Sequence, residues 1–190
     1  MFLRNLYLSF VRPILEYGSV VWDGCTSNDS DMLENVNLAA ARVITGATAG
    51  TSHTLLYQES GLPKLSDRRN KSKLISFYKI VHGDAPQYLK DLLPASVCQR
   101  NRYSVRTGHN MSLIRARTNL FNASFFPSAV RLWNDLPPST RNAENLDEFR
   151  TKLNRNKHTA NPLFYFGSRW AAVFQARLRM KCSVLKADLF

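Results

Sequence analysis

Acid, cysteine and long apolar runs are all scarce in this sequence, and each shortage closes off a class of protein. Asp and Glu number 14 against 26 Lys and Arg in 190 residues, which leaves a net charge of +12. The three cysteines, Cys25, Cys98 and Cys182, are odd in number and widely spaced. They do not make the disulfide framework of a small secreted domain, and they fit buried thiols in a reducing, nuclear or cytoplasmic compartment. No Cys-x-x-Cys occurs and no His stands near a Cys at ligand spacing, so a zinc site is not expected. No uncharged apolar run reaches the length of about 18 residues that a membrane-crossing helix needs. The apolar start from Met1 to Ile14 is interrupted by Arg4, Arg12 and Pro13, and no small-residue cleavage site follows, so a signal peptide is not expected either.

Catalytic patterns are also missing. There is no phosphate-binding Gly-rich loop, no dinucleotide turn and no His-Glu-x-x-His. Asp29 and Asp31, and the pair Asp147-Glu148, stand where helices are expected to begin, which is the ordinary place for helix-capping acids. Ser104, Ser112 and Ser124 lack a nucleophile context, and His53, His82, His109 and His158 are scattered. The sequence therefore offers no catalytic residue, metal ligand or cofactor site.

What is present is a basic field laid unevenly over helical patterns. Residues 1–63 hold three basic and six acidic residues, residues 64–120 twelve and three, and residues 121–190 eleven and five. Positive charge so concentrated favours polyanions, above all nucleic acid. Beneath it, apolar residues at Leu3, Leu6, Tyr7, Phe10, Ile14, Tyr17 and Val21 recur in steps of three and four, the mark of a helix face. Further apolar residues on its other sides predict burial, and Pro13 predicts a kink or division. The turn formers 23–30 lead to a helix over about 31–45, with Asp31 and Glu34 in its first turn. A short helix over 54–60 ends at Gly61.

Ser66 is placed to cap a helix over about 67–82. Leu74, Ile75, Tyr78 and Val81 give its inner face, and Arg68, Arg69, Lys71, Lys73 and Lys79 crowd the outside. Five cations on one helix repel one another, a cost easier to explain if an anion binds there. From 95 to 120 the pattern loosens into β-branched and polar residues around the turn Gly108-His109-Asn110, which predicts two short strands or an extended basic hairpin. Helices are expected from about 122–124 to Trp133, with Pro127 in the first turn, and again after Asn145, where Glu148 completes a capping box. Residues 154–162 read as a linker, followed by a basic, aromatic helix over about 168–181. The fold class is thus mainly α: a bundle-like N-terminal part, a short β or extended basic segment, and C-terminal helices.

The order of several motifs resembles one family. The run Tyr7-x-Ser9-x-Val11-Arg12-Pro13-x-Leu15-Glu16-Tyr17-x-x-x-x-Trp22 is long and specific. It is followed by Leu33-Glu34-x-Val36, Ala40-Ala41-Arg42-x-Ile44-Thr45-Gly46, Leu62-Pro63-x-Leu65-x-x-Arg68-Arg69 and Leu74-x-x-Phe77-Tyr78-Lys79-Ile80. Later come Phe125-Phe126-Pro127 with Leu132-Trp133-Asn134-x-Leu136-Pro137, then Phe149-x-x-x-Leu153, and Ala176-Arg177-Leu178-Arg179. Together these resemble the region after the palm in non-LTR (LINE-type) retrotransposon reverse transcriptases, over nearly the whole chain. The resemblance implies a thumb-like helical region at 1–94, a mixed extended and helical basic region at 95–157, and a linker with a basic aromatic helix at 158–190. It implies an upstream endonuclease and polymerase fingers and palm. The family's aromatic-x-Asp-Asp turn, whose carboxylates hold the catalytic metals, has no counterpart in this sequence. Family members often close with a Cys/His knuckle. Only Cys182 stands near the end here, so the likeness stops short of it.

Two readings follow, and they are compatible. The first is a non-catalytic module that binds template RNA or target DNA without sequence preference. Lys and Arg would neutralise phosphates and release counterions, and Arg and aromatic rings would stack on bases. Its candidate contacts are Arg68, Arg69, Lys71 and Lys73 on one helix, Arg102, Arg106, Arg115 and Arg117 in the extended segment, and Arg177, Arg179 and Lys181 near the end. The second is a packing or assembly element in which Phe10, Tyr17 and Trp22 belong to an interface. A non-functional relic of a decayed element is the remaining alternative, and an independent enzyme is disfavoured.

Overall fold

The computed structural model describes residues 2–97 and 110–155. The expected linker and C-terminal helix, and with them Arg102, Arg106, Arg177, Arg179 and Lys181, lie outside the described residues. The protein is mainly helical, and among the described residues there is no strand, only one isolated antiparallel bridge. Contacts group the described residues into two units, one of 2–15 and 31–65, the other of 16–30, 66–97 and 110–155. Each unit thus gathers residues that are distant in the chain.

The first unit begins with α1, Phe2–Leu6. The chain then makes a π turn over Tyr7–Val11, in which the Arg12 N–H reaches back to the Tyr7 carbonyl, and resumes as α2, Arg12–Glu16. The expected division at Pro13 thus takes the form of a π turn. Proline has no N–H and crowds the carbonyl four residues back, and a wider turn relieves both. The expected burial does not hold: of the predicted face only Tyr7 is buried, while Leu3, Leu6, Phe10 and Ile14 are exposed. Tyr7 joins Leu38, Ala41, Leu56 and Leu62 in the core of this unit.

The second long helix, α4, spans Ser27–Thr45, after the single turn α3, Ser19–Trp22. It starts four residues before the predicted position because Thr26 caps it: the Asp29 N–H donates to the Thr26 hydroxyl at 3.3 Å, and that hydroxyl donates to the Asp29 carboxylate at 2.7 Å. Glu34 therefore lies beyond the first turn and does other work. It accepts from Asn37 Nδ2 at 2.9 Å, from the Tyr57 hydroxyl, and from the Leu65 N–H at 3.0 Å. The helix after Leu65 is thus capped by Glu34 from a distant segment, and Ser66, the predicted cap, already lies inside it. Helix α5, His53–Ser60, ends as expected at Gly61, whose φ of 65° suits glycine. Arg4 Nε donates to the Ser60 carbonyl there at 3.2 Å.

The second unit is built on α6, Leu65–His82, whose residues from 66 onward belong to it. After the turn α7, Gln87–Lys90, the chain reaches the bridge between Ser96 and Met111. It is held by Val97 N–H to the Asn110 carbonyl at 2.8 Å and Ser112 N–H to the Ala95 carbonyl at 3.0 Å. The predicted strands do not form among the described residues: Met111 pairs with Ser96 and Asn110 is part of that bridge, while Gly108 and His109 of the expected turn lie outside the described residues. Then come α8, Asn119–Ala123, capped by Thr118, α9, Phe125–Asn134, the turn α10, Pro138–Arg141, and α11, Leu146–Arg155. Leu74, Phe77 and Tyr78 of α6 pack on Val130 and Trp133 of α9 and on Phe149 and Leu153 of α11. The rings interlock: Phe77 and Trp133 lie 5.4 Å apart, Tyr78 and Phe149 4.5 Å, Trp133 and Phe149 5.8 Å between centroids. Such pairs add about 0.5–1.5 kcal/mol each beyond the area they bury.

Candidate nucleic-acid interface

The basic run on α6 does not stand on one outer face. Its side chains take different environments. Arg69 and Lys73, one turn apart, are both buried, at 4% exposure each. Arg69 Nε donates to Asp23 Oδ1 at 2.6 Å, Nη2 donates to the Ser30 hydroxyl at 2.6 Å, and the guanidinium carbon lies 5.7 Å from the centre of the Trp22 ring. Lys73 Nζ reaches Asp23 Oδ2 at 2.6 Å and donates to the Ser128 hydroxyl at 3.0 Å. These two cations therefore hold residues 16–30 and α9 to α6. In this arrangement they are withdrawn from any phosphate chain, which corrects their expected place on the outside. The physical reason is Asp23, whose carboxylate bridges both and offsets part of the cost of burying them.

Arg68 is paired to Glu16, with Nη2 donating to Oε2 at 2.9 Å, and stays partly exposed. Lys71 Nζ donates to Asn154 Oδ1 at 2.8 Å. Asp67 also stands four residues before Lys71, at the spacing of a helical ion pair. The repulsion expected among these cations is thus met by acids from residues 16 and 23, segments that α6 reaches only through the fold. Arg115 and Arg117 are exposed. Arg131 and Arg150, which sequence reasoning does not single out, are exposed as well. Arg131 Nη2 holds the Asn122 carbonyl at 2.6 Å and so ties α8 to α9.

Arg150 takes part in a feature that gathers cations from two elements. A groove of about 230 Å³ runs between α6 and α11. Ile75 and Leu153 form its floor. Arg68 and Lys71 stand on one wall and Arg150 on the other, with Ser72 and Asn154 beside them. No carboxylate is among these lining residues. The signal for Arg150 was in the sequence: it directly follows Phe149 and precedes Leu153 by three, so it flanks the buried stripe of α11 and must stand at the edge of whatever α11 packs against.

Elsewhere the titratable groups serve the fold. Burial, and then the bond to Glu34, pushes the Tyr57 hydroxyl well above its ordinary range, while the bond from Lys152 holds Glu148 below the usual carboxylate value. Burial likewise raises Tyr78, whose hydroxyl donates to the Ala143 carbonyl at 2.8 Å. Among the described residues no three His, Cys, Asp or Glu side chains cluster as a metal site would, and no helix is long and apolar enough to cross a membrane. No protein-family model matches the chain, and the same holds for curated proteins and for solved structures.

Proposed function

We propose that this chain is a non-catalytic, nucleic-acid-binding helical region of the kind that follows the palm in non-LTR retrotransposon reverse transcriptases. The observation that carries the reading is the meeting of the motifs. Residues quoted for the resemblance from separate stretches touch one another inside the second unit: Glu16 with Arg68, Trp22 with Arg69, Tyr78 with Phe149, Phe77 with Trp133. A string of motifs that are mutually packed is what a shared fold requires. The net charge of +12, with Arg115, Arg117 and Arg150 exposed, supplies the affinity for phosphate. Partners of this chemistry are RNA and DNA, bound through the backbone, with palm and fingers upstream in a longer parent. The test is titration of labelled single-stranded and duplex oligonucleotides over a range of salt. Steeply salt-dependent binding with little sequence preference is expected. Binding that is absent at low salt, or metal-dependent nucleotide incorporation by this chain alone, overturns the reading. In genomic sequence, the reading frame upstream is expected to encode the aromatic-x-Asp-Asp turn.

A second role is favoured by one specific observation. Phe2, Phe10 and Ile14 are 74%, 68% and 76% exposed on the N-terminal helices. An apolar surface of this kind marks a packing site. In the same reading it would be covered by the preceding palm.

A further inference from the structure

We infer that the groove between α6 and α11 is a phosphate site, and that Lys71 and Arg150, rather than Arg69 and Lys73, are the residues of this region that touch nucleic acid. The inference rests on the functional reading above and names the contact. Three observations carry it. The lining brings three cations together with two neutral polar side chains, Ser72 and Asn154, and includes no acid. Arg150 is paired only loosely, by a 3.1 Å bond to Asp147, whose side chain is 90% exposed, a pairing that water and salt readily release. The floor of Ile75 and Leu153 is apolar, which suits the sugar or base face attached to a backbone phosphate. The size agrees: about 230 Å³ falls below the roughly 300–1,000 Å³ of pockets for larger ligands and takes a unit no bigger than one nucleotide.

The geometry has a preorganised element. Lys71 is drawn across the groove by Asn154 at 2.8 Å, and Arg68 is fixed to Glu16. The ammonium and two guanidinium side chains thus line the same groove, where a phosphate can accept from Lys71 and Arg150 once the exposed Arg150–Asp147 pair opens. Such a phosphate comes either from a nucleic-acid backbone or from a free anion, and the backbone is the source inferred here.

The experiment uses the full chain. Lys71→Ala with Arg150→Ala is compared with a charge-matched control on exposed lysines, Lys64→Ala with Lys90→Ala, circular dichroism showing that each is folded. Binding of a labelled single-stranded RNA and its DNA counterpart is read by fluorescence anisotropy across salt. The groove variant is expected to bind about tenfold more weakly than the control, with a log–log salt slope shallower by about 0.7 for each phosphate it no longer neutralises. The swapped pair Lys71→Arg with Arg150→Lys is expected to restore most of the affinity. If the chain binds oligonucleotide and the groove variant matches the control, the groove is not the contact, although the functional reading survives. If no oligonucleotide binds but inorganic phosphate shifts the side-chain resonances of Lys71 and Arg150, the backbone source is wrong, the groove takes a free anion, and the functional reading falls. If neither binds, both are overturned.

Discussion

Asp23 is the residue on which most of the buried charge depends. Its two oxygens each hold a cation, Arg69 and Lys73, at 2.6 Å, and Arg69 Nη1 has no further hydrogen-bond partner. Replacement by Ala leaves two cations buried without an acid. Asp23→Ala is expected to cost about 3–5 kcal/mol, the range for breaking a buried ion pair from one side, read as a fall in the urea midpoint. Removing the charges together, Asp23→Leu with Arg69→Met and Lys73→Met, is expected to recover much of that loss. Tyr57 gives a separate signature in pH. Its hydroxyl titrates higher in the folded chain than its ordinary value of 10.0. The unfolded chain therefore loses that proton first, and stability is full below pH 10.0 and declines as pH rises from there towards the folded value. Tyr57→Phe is expected to flatten this alkaline decline in thermal melts, at the cost of one hydrogen bond to Glu34.

At the scale of elements, α6, α9 and α11 hold the second unit together through rings. Phe149 is fully buried against Tyr78 and Trp133. Phe149→Ala is expected to destabilise by about 3–5 kcal/mol, measured by chemical denaturation. The bridge at Ser96 and Met111 depends on Asn134, whose side chain accepts from the Met111 N–H and donates to its carbonyl, both at 2.9 Å. The helices were legible in the sequence where pattern and punctuation agree: Leu74, Tyr78 and Gly83 for α6, Leu146, Phe149 and Leu153 for α11. Their starts were less so. Thr26 took the capping role from within the turn formers 23–30, and Glu34 capped Leu65 across the fold. The candidate site was legible only as charge. Which cations turn inward depends on Glu16 and Asp23, and nothing in local spacing tells that an acid 46 residues before Arg69 and 50 before Lys73 will meet them both.

On the whole molecule, the basic excess lies apart in the chain from the apolar surface of the N-terminal helices. The first third is slightly acidic and carries the exposed apolar residues of the N-terminal helices, while the remainder carries the basic excess. Two changes should therefore act independently. Phe10→Ser with Ile14→Ser is expected to reduce self-association in light scattering and leave oligonucleotide binding unaltered. The π turn before Pro13 has a consequence of its own. A π turn is an α turn holding one surplus residue, so it marks a place where the chain length can change without breaking the rod. Excising exposed Ser9 would let the backbone close as ordinary α and swing Phe2, Leu3 and Leu6 by about 100° against Phe10 and Ile14. The surplus residue thus acts as a phase setting: it decides whether two short rows of side chains point the same way, and so whether a neighbour meets one ridge or two.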